Sequence, residues 1–172
     1  MTTTLLTDRL ILTPVAEADF DDLKRLWGDA DFIRPLFPNP MNGEEVWTRL
    51  LRDIGHWEVR GYGNWSIRLK DSGDHVGSVG VLDYQREIEP RLDAPELGWG
   101  VATRFQGQGM AYEAVSAALA WCDDALNARR TVCIISPSNT ASLKLAARLG
   151  YQPMHDTTFR GEPITVLERR SA

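Results

Sequence analysis

The chain has 172 residues, of which 43% are hydrophobic and 25% are charged, and its formal net charge is -5. This composition is typical of a soluble globular protein with one compact core, and the acidic balance argues against a nucleic-acid partner, because such binding needs clustered Lys and Arg. The first residues lack the basic-then-apolar pattern of a signal peptide, and no apolar run approaches the roughly 20 residues of a membrane-spanning helix, so we expect a cytoplasmic protein with no membrane partner.

Hydrophobic spacing predicts the elements of the first part of the chain. Leu10, Leu12 and their neighbours predict an opening strand, and the helical spacing that follows predicts a helix over residues 16–27. Asn42 precedes two glutamates, which predicts the N-cap of a second helix with an apolar stripe over residues 46–57.

The pattern then changes to strands and to helices that alternate with strands. Period-two alternation on both sides of a polar turn at residues 71–74 predicts a hairpin over residues 65–82, and the charged stretch 84–94 is expected to be a loop. The remaining predicted elements are a strand at 96–101, a helix from Met110 to about 125, a strand at 131–135, a helix at 140–149 and strands near 151–158 and 164–169. This order predicts an α/β fold with a mixed sheet, as a single domain over residues 1–172 with frayed ends at 1–4 and 171–172.

The two cysteines carry no sign of a metal site. Cys122 lies on a helical pattern and Cys133 in an apolar strand, and neither has a partner at metal-ligand spacing. We therefore expect both to be small core residues, and we expect no bound metal.

Residues 104–111 read Arg-Phe-Gln-Gly-Gln-Gly-Met-Ala and join a predicted strand to a predicted helix. Glycines at 107 and 109 would let an anion approach free backbone N–H groups at the positive end of the helix, which favours a phosphate or pyrophosphate site. A tight turn without a ligand explains the same pattern. The dinucleotide fingerprint is excluded because Tyr112 stands where its third glycine is required, and the P-loop is excluded because no Gly-Lys-Ser/Thr is present.

Five ordered segments resemble the GNAT superfamily of N-acetyltransferases. Arg104, Gly107 and Gly109 match the Gln/Arg-x-x-Gly-x-Gly/Ala signature of its acetyl-CoA loop. Four further segments resemble the ribosomal-protein-alanine acetyltransferase branch, and they occur in family order across nearly the whole chain: 7–12 (TDRLIL), 61–67 (GYGNWSI), 95–99 (PELGW), and 136–142 (SPSNTAS) with 149–151 (LGY).

The resemblance implies a mostly antiparallel sheet that splays at the acetyl-CoA site, with acetyl-CoA as co-substrate. A backbone N–H near Val101 would face the thioester oxygen, and the amide of Asn139 would contact the pantetheine or the sulfur. The residues that the resemblance assigns to the acetyl-CoA site are Trp99, Val101, Arg104, Gln106, Gly107, Gln108, Gly109, Met110, Ala111 and Asn139.

The candidate catalytic residues are Glu96 and Ser142. Glu96 heads the strand beside the thioester and is the candidate base for the acceptor ammonium; the alternative is a strand-end carboxylate paired with an arginine. Many family members carry a tyrosine acid seven residues beyond the Asn, but Ala146 occupies that place here. By resemblance to the ribosomal-protein branch, Ser142 is the candidate acid for the thiolate; the alternatives are that Ser142 bonds its own backbone and that Asn139 is only a helix cap.

We therefore expect an acetyl-CoA-dependent N-acetyltransferase that acetylates a primary amine by direct attack in a ternary complex. The acceptor is a protein N-terminus or a small amine, and the protein is a monomer or homodimer. The alternative is a noncatalytic acyl-CoA-binding regulatory module. The two early helices and the loops 34–41 and 84–94 would build the acceptor site, where acidic residues would attract a cation or be solvated: Asp83, Glu87, Glu89 and Asp93.

Overall fold

The computed structural model of the protein describes residues 3–171. Its strands are β1 Leu5–Leu6, β2 Leu10–Pro14, β3 Asn64–Leu69, β4 His75–Leu82, β5 Glu96–Val101, β6 Arg130–Ile135, β7 Gln152–Phe159 and β8 Glu162–Arg170. They form one sheet in the order β1-β2-β3-β4-β5-β6-β8-β7. Every neighbouring pair is antiparallel except β5 with β6, which is parallel. The expected mixed, mostly antiparallel α/β sheet is thus confirmed.

Helices cover both faces of this sheet. They are α1 Phe20–Trp27, α2 Ala30–Ile33, α3 Gly43–Arg60, α4 Met110–Ala125 and α5 Thr140–Arg148. The first three share one core with Val15, whereas α4 buries Ala114 and Val115 in a second core with Trp65 and Val79 of the sheet. The sheet therefore separates an α1–α3 layer from an α4 layer.

The N-terminus of α3 forms as its sequence predicts. The Asn42 side chain accepts from the N–H of Glu45 at 3.0 Å, and the Glu45 side chain accepts from the N–H of Asn42 at 2.8 Å. This reciprocal capping box satisfies two donors that the first turn would otherwise leave unpaired. The helix ends at Gly61, whose φ of 72° is the left-handed conformation that terminates helices.

The face of the sheet toward α1–α3 is polar and made of small residues near its centre. Register places Ser66, Ser78 and Gly100 side by side on β3, β4 and β5. A Cβ on Gly100 would lie 2.7 Å from the ring of Phe32, so glycine is what allows α2 to close over β5. The opposite face of these strands carries the apolar residues of the α4 core.

The predicted helices and strands are present, with three differences. The one-turn helix α2 and the two-residue strand β1 were not predicted, because neither is long enough to show a period. The start of the first predicted helix is a 3-10 turn at Glu17–Asp19. Within the ends predicted to fray, the carbonyl of Thr3 accepts from Trp65 at 2.6 Å and the N–H of Ser171 donates to Arg129 at 2.8 Å. Residues 1, 2 and 172 lie outside the described residues. Over residues 3–171, no helix has the length and apolar character needed to cross a bilayer.

His75 should make the fold sensitive to acid. It begins β4 at 7% exposure, and its Nε2 has no hydrogen-bond partner among the described residues. Burial lowers its pKa below the usual 6.5, against the attraction of Asp22. As pH falls through about 6.5, the unfolded chain therefore binds the proton before the folded chain does, and stability present above that pH is lost.

We expect the free energy of unfolding, measured by urea titration at about pH 8 and pH 5.5, to fall on acidification with a slope of up to about 1.4 kcal/mol per pH unit from this group. His75→Gln should flatten that slope whatever its effect on stability at pH 8. Equal slopes in the two proteins would contradict the assignment.

Candidate active site

The loop between β5 and α4 is built to present backbone N–H groups. Gly107 and Gly109 have φ of 73° and 78°, both in the left-handed region, and Gly109 is the N-cap of α4. Within residues 3–171, no protein acceptor receives a hydrogen bond from the N–H groups of residues 107–112. Six consecutive donors at a helix N-terminus form a site for an anion with several oxygens, such as a pyrophosphate.

A clamp from the turn between β1 and β2 holds this loop. The guanidinium of Arg9 donates to the carbonyl of Gln108 at 2.9 Å and to the carboxylate of Glu113 at 2.7 Å. Glu113 also accepts from the Thr7 hydroxyl at 2.6 Å and from the Arg9 N–H at 2.8 Å. With the Gln108 carbonyl fixed on one side, the neighbouring N–H groups are directed to the other. The sequence reasoning assigned no role to Arg9, although it lies in the matched 7–12 segment.

Two glutamine side chains brace the same loop from within. Gln106 donates to the carbonyl of Val101 at 2.9 Å, and Gln108 donates to the carbonyl of Arg104 at 3.2 Å. The side chains of Val101 and Met110 are buried in the α4 core, so only their backbone groups are available to a ligand. Ala111 also packs on that core, and Arg104 is exposed beside the loop with its guanidinium 4.6 Å from the Phe105 ring.

The sheet opens beside this loop. β5 pairs with β4 over six positions but with β6 only at Glu96, which lies opposite Val132. Beyond that pair, the β6-facing edge of β5 has no strand partner among the described residues. Its unpaired backbone groups, including those around Trp99, are available to a ligand that can both donate and accept hydrogen bonds.

Glu96 lies at the start of this gap in a tight ion pair. It is 5% exposed, and its two oxygens accept from Arg86 Nε at 2.6 Å and Nη2 at 3.0 Å. The strand-end carboxylate paired with an arginine, one of the two interpretations left open by the sequence, is therefore present. Arg86 lies in the 84–94 loop and was not singled out, because nothing in that loop's charge pattern identifies one partner for Glu96.

Asn139 and Ser142 lie where β6 leads into α5. Asn139 is the N-cap, and its Oδ1 accepts from the N–H of Ser142 at 3.2 Å. The Ser142 hydroxyl makes no hydrogen bond to any described residue, so the expected alternative of a bond to its own backbone is not seen. Because β5 and β6 are parallel, their carboxyl ends meet at one edge of the sheet, and the phosphate-type loop and the start of α5 share that edge.

Three other polar or reactive side chains, those of Tyr151, Cys122 and Cys133, are buried in the core. Tyr151 is 3% exposed, pairs with the Thr131 hydroxyl at 2.8 Å and has its pKa raised by burial, so it packs in the core. Cys122 and Cys133 are fully buried and unpaired, and burial raises the pKa of Cys122 to about 12. In the part of the chain described, no three His, Cys, Asp or Glu side chains are grouped to hold a metal ion.

The acidic residues around the 84–94 loop are only partly available to a cation. Asp83 pairs with Arg60 at 2.8 Å, and Asp93 pairs with Arg130 at 2.6 Å. The charges of these two carboxylates are already compensated within the chain.

Comparisons with known proteins agree with this architecture. The family model described as an acetyltransferase (GNAT) domain matches residues 9–152. A solved structure described as a GnaT-family acetyltransferase from Bordetella pertussis superposes with a TM-score of 0.84 at 32% identity, covering 98% of this chain and 99% of that one. The uncharacterized N-acetyltransferase p20 of Bacillus licheniformis is 27% identical over 150 residues, which are 87% of this chain and 82% of that protein. The ribosomal protein uS5-alanine N-acetyltransferase of Escherichia coli (strain K12) is 26% identical over 154 residues, which are 86% of this chain and 77% of that protein.

The chain belongs to the GNAT acetyltransferase family, whose members use acetyl-CoA. The resemblance drawn from the five sequence segments is confirmed, and so is the GNAT fold.

The left-handed conformation of Gly107 should be required for coenzyme A binding. Gly107→Val should raise the Kd of CoA at least about tenfold in calorimetric titration, because a β-branched residue disfavours positive φ and the loop would turn its N–H groups away. Gly73→Val is the matched control, because Gly73 has φ of 76° in the hairpin turn of β3 and β4. The free energy of unfolding should fall by a similar amount in both variants. An equal loss of CoA affinity in Gly73→Val and Gly107→Val would show that CoA binding does not depend on the conformation of Gly107.

Proposed function

We propose that the protein transfers the acetyl group of acetyl-CoA to a primary amine by direct attack in a ternary complex. The observation that carries the proposal is the pair of adjoining backbone features at one sheet edge: the six N–H groups of residues 107–112 and the unpaired edge of β5. The first suits a pyrophosphate and the second suits the amide groups of a pantetheine arm. Together they would place the thioester beside β5.

In the proposed reaction, the amine nitrogen attacks the thioester carbon, the N–C bond forms and the C–S bond breaks. A backbone N–H of β5 near Val101 would stabilise the developing oxyanion, a type of contact worth about 3 kcal/mol. Glu96 would accept the proton of the ammonium directly or through water, using the lone pairs that its two bonds to Arg86 leave. The unbonded Ser142 hydroxyl would protonate the departing thiolate and receive in its place the second proton that the nitrogen loses as the amide forms, so that the products are the amide, CoA thiol and protonated Glu96.

Two classes of acceptor fit the proposed reaction. The similarity to a relative named for a ribosomal protein alanine supports a protein N-terminal amine, and a small amine fits the same chemistry. The fold alone does not select between them.

One observation supports the noncatalytic alternative, an acyl-CoA-binding regulatory module. Ala146, which stands where many family members have a tyrosine acid, is fully buried in the α4 core. The methyl group of Ala146 has no proton to donate, so Ser142 would have to supply it.

Turnover separates the two proposals. Purified protein should release free thiol from acetyl-CoA in the presence of an amine panel of N-terminal peptides, polyamines, aminoglycosides and amino acids. The double variant Gly107→Trp, Gly109→Trp should abolish release by filling the loop. Tight acetyl-CoA binding without release on any amine would instead favour the binding module.

The proton-transfer roles can be tested individually. We expect Glu96→Gln to lower kcat by about 100-fold or more, because the base is lost. Ser142→Ala should lower kcat with little change in the KM for acetyl-CoA. Ser138→Ala, two residues before the helix start and bonded to Ser136 at 2.9 Å, is the control. A Glu96→Gln enzyme that keeps most of its kcat would contradict the role of Glu96 as the base.

A further inference from the structure

A small pocket with both apolar and polar walls lies between the α1–α3 layer and the sheet, on the face opposite α4. Its walls include Trp27 of α1, Arg49 and Asp53 of α3, Asn64 of β3 and Ser78 of β4. Ser78 lies directly opposite Gly100 of β5 in the sheet register. Neighbouring strands are about 4.8 Å apart, so the pocket is one strand away from the edge where the thioester is proposed to lie.

The carboxylates next to this pocket are already compensated. Asp53 is 6% exposed, and its Oδ1 accepts from Arg52 at 2.8 and 2.9 Å and from the Tyr84 hydroxyl at 2.6 Å. Glu96 uses both of its oxygens on Arg86. The guanidinium of Arg52 lies 4.1 Å and that of Arg86 lies 5.2 Å from the Tyr84 ring, so the two ion pairs form one connected cluster.

Arg49 is the cation of this cluster that has no carboxylate partner among residues 3–171. Its guanidinium lies 3.9 Å from the ring of Trp27, but it makes no hydrogen bond or ion pair with any of residues 3–171. Stacking occupies one face of a guanidinium and leaves the N–H groups on its edge available. Burial, and then repulsion by Arg52, lower the pKa of Arg49 to about 10, so it is still a cation at neutral pH.

Three guanidinium groups thus face two carboxylates, and the excess of one positive charge resides on a partly buried side chain. Burying such a charge without a partner is unfavourable, so an anion at Arg49 would be stabilised. A single excess charge matches a carboxylate better than a phosphate dianion, and it disfavours an acceptor that carries a second ammonium group.

We propose that Arg49 binds a carboxylate of the acceptor, and that the acceptor is therefore a primary amine that also carries a carboxylate. The inference rests on the proposed acetyl transfer and names its substrate class. The carboxylate is the α-carboxyl of a free amino acid or the acidic side chain of a peptide whose N-terminal amine is acetylated. Polyamines and aminoglycosides carry several ammonium groups and no carboxylate, so they are poor substrates.

The test compares kcat/KM for matched acceptors that differ in one charge. These are an amino acid and its carboxamide, a peptide amide with an N-terminal Glu and the same peptide with Gln, and spermidine. We expect at least one carboxylate acceptor to exceed its uncharged match by about 10- to 100-fold, the range for a hydrogen bond to a charged group. The pair that shows the difference identifies the source of the carboxylate.

Variants locate the preference on Arg49. Arg49→Gln should remove the advantage of the carboxylate acceptor over its uncharged match, chiefly through KM. Arg49→Lys should restore part of the advantage, because it keeps the charge but loses the planar fork. Arg25→Gln, on exposed α1 surface, should change neither acceptor. Equal losses on both members of a pair, or a wild-type preference for the uncharged acceptors or spermidine, would overturn the inference.

A binding measurement keeps this inference separate from the transfer reaction. Protein saturated with CoA is titrated with an N-acetyl amino acid and with its carboxamide, and Trp fluorescence reports binding near Trp27. Carboxylate binding that needs Arg49 supports the site even if no amine is acetylated, in which case only the transferase proposal fails. No preference for the carboxylate over the carboxamide would overturn the site, whatever the turnover.

Discussion

The parting of β5 from β6 is the constraint on which the functional part of this structure depends. Among the residues that the structure describes, the two strands pair only at Glu96 and Val132, while β5 remains paired to β4 along its whole length. Beyond the single parallel pair, β5 has a free backbone edge inside the sheet, where unpaired N–H and C=O groups are costly unless a ligand satisfies them. The same parallel pairing brings the carboxyl ends of both strands to one edge, where the loop before α4 and the cap of α5 meet.

The two faces of the sheet have different proposed roles beside that gap. On the α4 side, Arg9 is held by Glu113 and donates to the Gln108 carbonyl, which fixes the loop whose backbone N–H groups would face an anion. On the α1–α3 side, a small pocket lies above β3 and β4 and is lined in part by Arg49 and Asp53, which belong to the cluster that extends through Arg52 and Tyr84 to Arg86. Acetyl-CoA is proposed to bind on the α4 side and the acceptor amine on the α1–α3 side. The thioester and the amine would then meet at β5 without competing for space.

The sequence predicted the elements that have a clear period or a defined cap. α3 follows from Asn42 and its apolar stripe, and the strand, glycine loop and helix around residues 96–125 follow from the change of period at Gly107 and Gly109. α2 was missed because four residues are too few to show a helical period.

The partners of the candidate site residues were not predictable for a different reason. Arg9 reaches Glu113 across 104 residues, and the choice of Arg86 for Glu96 depends on how an irregular loop folds back over β5. Arg49 lies on α3 among several charged residues, and only the packing of α1 against α3 shows that it has no carboxylate partner among residues 3–171. Periodicity and capping are local properties, whereas these charge balances are set by tertiary contacts.

The most direct test of the central claim is amide NMR of the ¹⁵N-labelled protein titrated with CoA and, separately, with pantetheine, which lacks the pyrophosphate. If the backbone of residues 107–112 receives the pyrophosphate, the amide signals of Gly107, Gln108, Gly109 and Met110 should shift strongly with CoA and little with pantetheine. Signals from β5 should respond to both ligands. Unchanged loop amides at CoA saturation, or equal loop shifts with the two ligands, would contradict the assignment of this loop to the pyrophosphate.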